Sequence, residues 1–411
     1  MTEFYSGATE RLGCLTEGFC LRRLQAVLGA FSLIVLGLIA PAQAIAAVGR
    51  GGNVYLFLIG MMVLAELARK NGLFDWLAAY AVRAAAGSAE KLFALIYAVG
   101  IAVTVLLSND ATAVVLTPAV YAAAKAAGAK PLPYLYICAF IANAASFVLP
   151  ISNPANLVIF RENMPPLASW LARFTVPSLI AIAVTFAALR YTQRAALRQP
   201  ITSDIAMPVL PRGGFMTACG IAVTAVALLA ASARGLDLGL PTFVAGIITM
   251  AAVLLSQRQS PWPILRDVSW GVIALVAGLF IIVEALDSTG LVAALAKYLR
   301  DAADVSVSGA VWQSGIAVAL ASNLMNNLPA GLLAGSAVHA AHVPEAVSSA
   351  VLIGVDLGPN LSVTGSLATI LWLVALRRDG EDVSAAQFLR VGIVVMTPAL
   401  LLTLWSLTQI Y

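Results

Sequence analysis

The sequence predicts an all-α polytopic membrane protein made of two inverted repeats. Each repeat carries a re-entrant helical hairpin and a discontinuous transmembrane helix, and together they divide into a scaffold and a transport domain. Three observations lead there. Of 411 residues, 61% are hydrophobic and 11% charged, with a mean hydropathy of +0.93, whereas soluble domains carry roughly 25% charged residues. Apolar stretches near the ~20 residues a spanning helix needs recur along the chain. Finally, blocks of the second half repeat blocks of the first across an arginine-rich linker.

Residues 1–23 contain Glu, Arg and Gly and lack the compact apolar core of a signal peptide, so they are expected to be a cytoplasmic N-terminal segment. The run 24–42 follows Arg22 and Arg23 and reads as an anchor or an uncleaved signal. It opens the first repeat, 24–189, whose later runs lie at 53–68, 92–107, 111–124, 133–149 and 167–189. The segment 190–213, with Arg190, Arg194, Arg198 and Arg212 plus Pro200, Pro208 and Pro211, is the expected cytoplasmic linker. The second repeat, 214–411, has runs at 214–233, 240–256, 269–286, 309–324, 328–341, 346–376 and 387–409.

Two pairs of short runs flank polar breaks, at 108–110 (Ser108, Asn109, Asp110) and 325–329 (Met325 to Pro329). A break with apolar sequence on both sides is the pattern of a hairpin whose tip reaches the membrane midplane. Two further interruptions fall in the expected broken helices, 133–160 and 346–376. The first carries Asn143, Ser152, Asn153 and Asn156; the second carries Asp356, Thr364, Ser366 and Thr369. Pro150, Pro154, Gly358 and Pro359 favour unwinding at these places. The segments 73–86 and 291–304 mix Trp76, Tyr80 and leucines with charges and are expected to lie at the interface.

The repeat itself is direct. ELARKNGLFDWLAAY at 66–80 aligns without gaps to EALDSTGLVAALAKY at 284–298, with E, G, L, L, A and Y coinciding, six of fifteen positions. An offset of 217 then places Asn109 on Asn326, and an offset of 213 places Asn143 on Asp356 and Asn153 on Ser366. Transporter repeats of this kind are commonly inverted. Charge supports inversion: with the linker cytoplasmic, about 18 of the 24 Lys and Arg fall inside. Only Arg50, Arg161, Arg173, Arg234, Lys297 and Arg300 fall outside. That topology has nine crossings plus two hairpins, the N-terminus inside and the C-terminus outside. The run 214–233 then requires a partner near 1–18, a stretch too polar to span.

Composition also excludes several classes. The net charge of +4 comes from basic residues scattered between apolar runs, a positive-inside pattern rather than a nucleic-acid face. Cys14, Cys20, Cys138 and Cys219 show no CxxC spacing, so neither a disulfide framework nor a metal site is expected, and no cofactor is implied. His339 and His342 sit at a hairpin end beside Pro344 and read as surface histidines.

An unwound backbone at membrane depth is tolerated only where protein or a water-filled cavity satisfies it. Ser108, Asn109, Asp110, Thr112, Asn143, Ser152, Asn153, Asn326, Asn327, Asp356, Thr364 and Ser366 are therefore the candidate solute ligands. The bland readings are a loop between short helices, amides bridging helices and carboxylates capping half-helices. Asp110 and Asp356, the carboxylates at the breaks, are the candidate proton carriers. The absence of Lys and Arg at the breaks favours a neutral polar solute or a cation. An intramembrane aspartyl protease would need two carboxyl groups within ~3 Å of each other and gives the Asn-rich tips no task.

Several motifs resemble the arsenite/antimonite efflux permease family of the ion transporter superfamily. They are SNDAT at 108–112 followed by Leu116-Thr-Pro118, MNNLP at 325–329, GVDLGP at 354–359 and GSLATILW at 365–372. PISNPAN at 150–156 is closer to the wider superfamily's Pro-x-Asn pattern. The resemblance spans about residue 24 to the C-terminus and implies export of trivalent arsenic or antimony hydroxides across the inner membrane in exchange for protons. Near-neutral As(OH)3 suits amides and hydroxyls. The resemblance also makes an arsenite-stimulated ATPase subunit a candidate partner and a homodimer a candidate assembly. The rival within the superfamily is a sodium- or proton-coupled carrier of silicate, dicarboxylate or another anion.

Overall fold

The computed structural model describes residues 27–160 and 164–411, and among these residues all regular structure is helical. Seven described helices are long and apolar enough to cross a membrane. They are Gly52–Lys70, Ala89–Leu106, Leu167–Leu197, Arg212–Ala233, Gly239–Gln257, Gly271–Ser288 and Ala385–Ile410. The run at 24–42 is helical over 27–35 in its described part, and its end opens the helix Pro41–Arg50. The segment expected to pair with 214–233 lies outside the described residues.

Gly52–Lys70 and Gly239–Gln257 pack backbone to backbone because small residues meet at the crossing. A Cβ on Gly60 would sit 2.5 Å from the Thr242 carbonyl oxygen, and one on Gly246 would sit 2.9 Å from that of Gly60. Both ends of the pair are clamped by amides. The Gly239 backbone N–H donates to Asn53 Oδ1 at 2.6 Å, and Gln257 Nε2 donates to Asn71 Oδ1 at 2.8 Å.

Local chemistry recurs at an offset of 218. Gly72 (φ 69°) and Gly290 (φ 82°) adopt left-handed backbone ahead of the helices Leu73–Ala84 and Leu291–Val305. Glycine takes that conformation without steric cost. Ser88 accepts from the Lys91 N–H and so caps Ala89–Leu106; Ser306 accepts from the Gly309 N–H and caps Val307–Met325.

Each of these capped helices is the first arm of a hairpin. In the first hairpin the chain leaves the helix at Leu107 and Ser108 and returns through 109–126, with a π-helical stretch at Ala111–Leu116. In the second the break is Asn326 alone (φ 81°, ψ 152°), and the return arm is Asn327–Ala341. The tips therefore match at an offset of 218, with Asn109 and Asn327 each beginning the return arm. The expected 217 is off by one: it sets Asn109 on Asn326, which is the break residue itself rather than the start of the return arm.

The broken helices run Leu132–Ala144, Pro150–Ser152, Pro154–Phe160 and Glu345–Leu357, Gly358–Leu361, Leu367–Arg378. Pro150, Pro154 and Pro359 stand at or beside the start of a helical piece, where a missing N–H costs nothing. Trp170 and Trp372 are fully buried against these breaks, and their indole N–H groups donate to the carbonyls of Phe147 (3.2 Å) and Leu135 (2.8 Å). Leu167–Leu197 and Ala385–Ile410 pack on one another, each with an internal proline, Pro177 and Pro398. The first of these helices continues past residue 190, so irregular linker is confined to about 198–211.

The glutamates matched by the repeat are both in ion pairs. Glu66 meets Arg69 (2.5 Å), and Asp267 of the short helix Trp262–Asp267 meets Arg69 (3.3 Å) and Lys70 (2.9 Å). Glu284 pairs with Arg50 of the helix Pro41–Arg50. The Lys70 hydrogen bond, followed by the charges of Lys70 and Arg69, holds the Asp267 carboxyl below the usual carboxylate range.

Candidate functional site

Both hairpin tips and both helix breaks converge. Asn109 and Asp110 of the first tip, Asn153 and Pro154 of the first break, Asn327 and Leu328 of the second tip, and Ser366, Leu367 and Ala368 of the second break line one small cavity. Leu58 and Val272, from the long helices Gly52–Lys70 and Gly271–Ser288, complete its wall. Its volume, about 10 Å³, is that of a single water. It adjoins a larger cavity of about 750 Å³ that shares Leu58, Asp110, Pro154, Val272 and Leu367 with it. The larger cavity extends to Glu66, Arg69, Asp267, Arg378 and Asp379. Asp110 thus stands where the narrow space meets the wide one.

The first tip is held by its own side chains. Ser108 Oγ accepts from the Ala111 N–H (3.2 Å), which is the duty of a helix N-cap. Asn109 Oδ1 accepts from the Asp110 N–H (2.9 Å). Thr112 is completely buried, its hydroxyl 2.8 Å from that of Thr104. The π-helical turn follows directly, a geometry frequent at functional positions.

The second tip is fastened to the second break. The Asn327 N–H donates to the Gly365 carbonyl (2.8 Å), and Asn326 Nδ2 reaches the Thr364 carbonyl (3.5 Å). Asn323 anchors the same loop: its amide donates to the Gly358 carbonyl (2.8 Å) and its Oδ1 accepts from Ser362 (2.7 Å). Thr364 donates to the Asn323 carbonyl (3.1 Å) on the exposed side.

Behind the cavity a polar layer joins the two broken helices. Asn153 lines the cavity and donates to Asp356 Oδ1 at 2.7 Å; its own Oδ1 accepts from the Ala155 N–H at 3.0 Å, as Ser366 accepts from the Thr369 N–H at 3.0 Å. Asn143 donates to Asn360 Oδ1 (2.9 Å), and Asn360 donates to the Phe140 carbonyl (3.1 Å). Asn143 and Asp356 are both buried, and Asp356 Oδ2 has no hydrogen-bond partner among the described residues. Ser152 donates to the Val105 carbonyl (3.3 Å), fastening the first break to the first hairpin.

Of the twelve candidate ligands, Asn109, Asp110, Asn153, Asn327 and Ser366 line the small cavity, and Ser108 lines the large one. Asp356 lies one layer behind, reached through Asn153, and Asn143 is buried away from the cavity, bonded to Asn360. Ser152, Thr112, Asn326 and Thr364 fix backbone around it. Sequence reasoning missed Leu58, Val272, Leu328 and Leu367, apolar residues in apolar stretches; Asn323 and Asn360 are legible as amides near the second tip and in the second broken helix but are not among the candidate ligands. No Lys or Arg lines the small cavity. The arrangement presents several amides, one hydroxyl and one carboxyl to the space it encloses.

The chain matches the family described as citrate transporter over residues 14–357. The arsenical pump membrane protein of Yersinia enterocolitica is 28% identical over 369 residues, covering 85% of this chain and 84% of that one. Its counterpart in Escherichia coli K12 is 27% identical over 409 residues, covering 93% and 92%. Among solved structures, the YdaH transporter of Alcanivorax borkumensis, reported to have an unusual topology, superposes with a TM-score of 0.57 at 14% identity, over 96% of this chain and 97% of that one.

Proposed function

The chain belongs to the citrate transporter family, and from that premise we propose that it is a secondary transporter exporting arsenite and antimonite in exchange for protons by alternating access. The observation that carries the metalloid reading is the lining of the small cavity: amides from three elements, the Ser366 hydroxyl and the Asp110 carboxyl, with no Lys or Arg among them. The cavity, with room for one water as it stands, must widen to admit cargo; a neutral trihydroxide then offers three O–H donors and three acceptors to the wall, whereas a citrate-like polyanion would meet no cation. The arsenical pump membrane proteins that align over most of the chain support the same cargo.

In this mechanism Asn109, Asn153, Asn327 and Ser366 orient the solute and Asp110 exchanges a proton at the cavity's edge. Asp356 takes the second proton, and Asn153 conveys its state to the site by the hydrogen bond it already makes. The two halves sit in opposite senses in the inner membrane, linker inside, and the hairpins with the broken helices move past the long helices. The 750 Å³ cavity, rimmed by Arg69, Asp267 and Arg378, is then the cytoplasmic entrance.

The family description favours a second reading, a sodium- or proton-coupled carrier of a carboxylate. Everted vesicles decide between them. Arsenite accumulating under an imposed proton gradient, with citrate and succinate excluded, is the expected result; carboxylate accumulation without arsenite uptake overturns it.

A further inference from the structure

A third cavity, of about 480 Å³, shares no lining residue with the other two. It lies where the end of Gly52–Lys70, the turn after Gly239–Gln257, the short helix Trp262–Asp267 and the start of Arg212–Ala233 meet. Its polar wall is made by Asn71, Gln257, Gln259 and Ser260, over an apolar floor that includes Leu254 and Ile264.

The wall is built, not incidental. Gln257 Nε2 donates to Asn71 Oδ1 at 2.8 Å, and Asn71 Nδ2 donates to the Leu67 carbonyl at 2.9 Å, so the amides have fixed orientations. Gly213 makes room for them: a Cβ there would lie 1.6 Å from Gln257 Nε2. The Ser260 oxygen accepts from the Trp262 N–H, which leaves its hydroxyl hydrogen free to donate.

Charge follows the same pattern. Of the cations around the cavity, Lys70 is committed to Asp267 and to the Pro263 carbonyl. Arg212 and Arg258 are next in sequence to the lining residues Pro211 and Gln257, are exposed, and their side chains form no hydrogen bond or ion pair with any described residue. Arg258 holds a left-handed backbone (φ 54°), where glycine is the least costly residue.

The surroundings fix the level. Trp262 and Trp270 are 70% and 46% exposed, as indoles at a bilayer interface are, and Phe215 and Leu255 on the adjoining spanning helices are 62% and 79% exposed. Exposed apolar side chains and two exposed arginines are thus each within a few residues, in sequence, of the cavity's lining: Phe215 and Arg212 follow Pro211, and Leu255 and Arg258 flank Gln257.

We propose that this cavity binds the phosphodiester headgroup of an anionic phospholipid, with Arg212 and Arg258 as counter-charges, Gln257, Gln259 and Ser260 as donors, and the acyl chains along Phe215 and Leu255. Basic pockets between spanning helices recognise such headgroups by this combination of charge and donors. The exposed apolar flank selects a lipid over free phosphate.

Native mass spectrometry of the full chain from phosphatidylcholine nanodiscs titrated with phosphatidylglycerol tests this. The expected result is retention of phosphatidylglycerol by the wild type. The double variant Arg212→Ala/Arg258→Ala should bind it about thirtyfold more weakly, as the loss of two interfacial charges implies. Gln259→Trp, which fills the cavity without altering charge, should also lose it, while Arg234→Ala, at the other end of the same helix, should retain it. Equal retention in the double variant and in Gln259→Trp overturns the proposal. So does displacement of the lipid by millimolar inorganic phosphate, which would make the site one for a free anion.

Discussion

Asn153 and Asp356, more than two hundred residues apart in sequence, are joined by a 2.7 Å hydrogen bond between the two broken helices. The asparagine lines the cavity, and the aspartate is fully buried and is not part of the lining, so the bond connects the cavity wall to a carboxyl behind it.

A double-mutant cycle on this pair should show coupling. Asn153→Ala leaves Asp356 Oδ1 buried without its donor, a loss of about 1–3 kcal/mol, and Asp356→Ala removes the demand. The thermal stabilities of the two single variants and the double variant should depart from additivity by about 0.5–3 kcal/mol. Additive losses would mean the bond contributes nothing.

Asp110→Asn keeps shape and hydrogen-bonding capacity at the tip while removing the proton. Proton-driven arsenite transport should fall by roughly tenfold or more, equivalent to about 1.4 kcal/mol, with solute binding much less affected. Vesicle uptake and equilibrium binding, both followed across pH, measure this. A pH profile unchanged from wild type would take Asp110 out of coupling.

The close crossing at Gly60 admits no side chain. Gly60→Val must push the Thr242 backbone away, and overpacking of that kind costs about 1–3 kcal/mol. A lower thermal midpoint and a lower yield of folded protein in detergent are expected, while Gly128→Ala, in a turn with open space around it but a left-handed backbone, should cost less, about 1 kcal/mol.

At the rim of the large cavity, the Asp267 carboxyl is held below its usual range, first by the Lys70 hydrogen bond. A lowered folded-state value means that the contribution is complete above the ordinary carboxylate range and is lost as pH falls through the folded-state value. Asp267→Asn should therefore melt slightly below wild type between pH 6 and 8 at low salt, a difference that shrinks at high salt because an exposed group is screened. The two should converge in acid, where the wild-type carboxyl is protonated and its contribution is gone. Thermal melts across pH test it.

How much of this was legible in the sequence depended on contrast. Asn109, Asp110, Asn153, Asn327 and Ser366 stand out because each is polar within an apolar run, and all five line the small cavity. Leu58, Val272 and Leu328 line it too, yet an apolar residue in an apolar helix gives no signal. Asp356 and Asn143 were equally visible, but sequence fixes neither which side of a break a side chain takes nor which partner from the other half awaits it. The tip register was off by one because a single residue, Asn326, suffices to break a helix when its φ is positive. Asn53 and Asn71 gave no hint at all, since polar residues at helix ends are ordinary.

Those last two residues have a mechanical meaning. Asn53 and Asn71 stand near opposite ends of Gly52–Lys70, and each binds the neighbouring helix, at Gly239 and at Gln257. Two rods riveted at both ends resist shear along their common axis, since a slip of one turn would strip both rivets and drive Gly60 into Thr242. They form a splint, and in the transport cycle proposed above displacement would be left to the elements that lean against it.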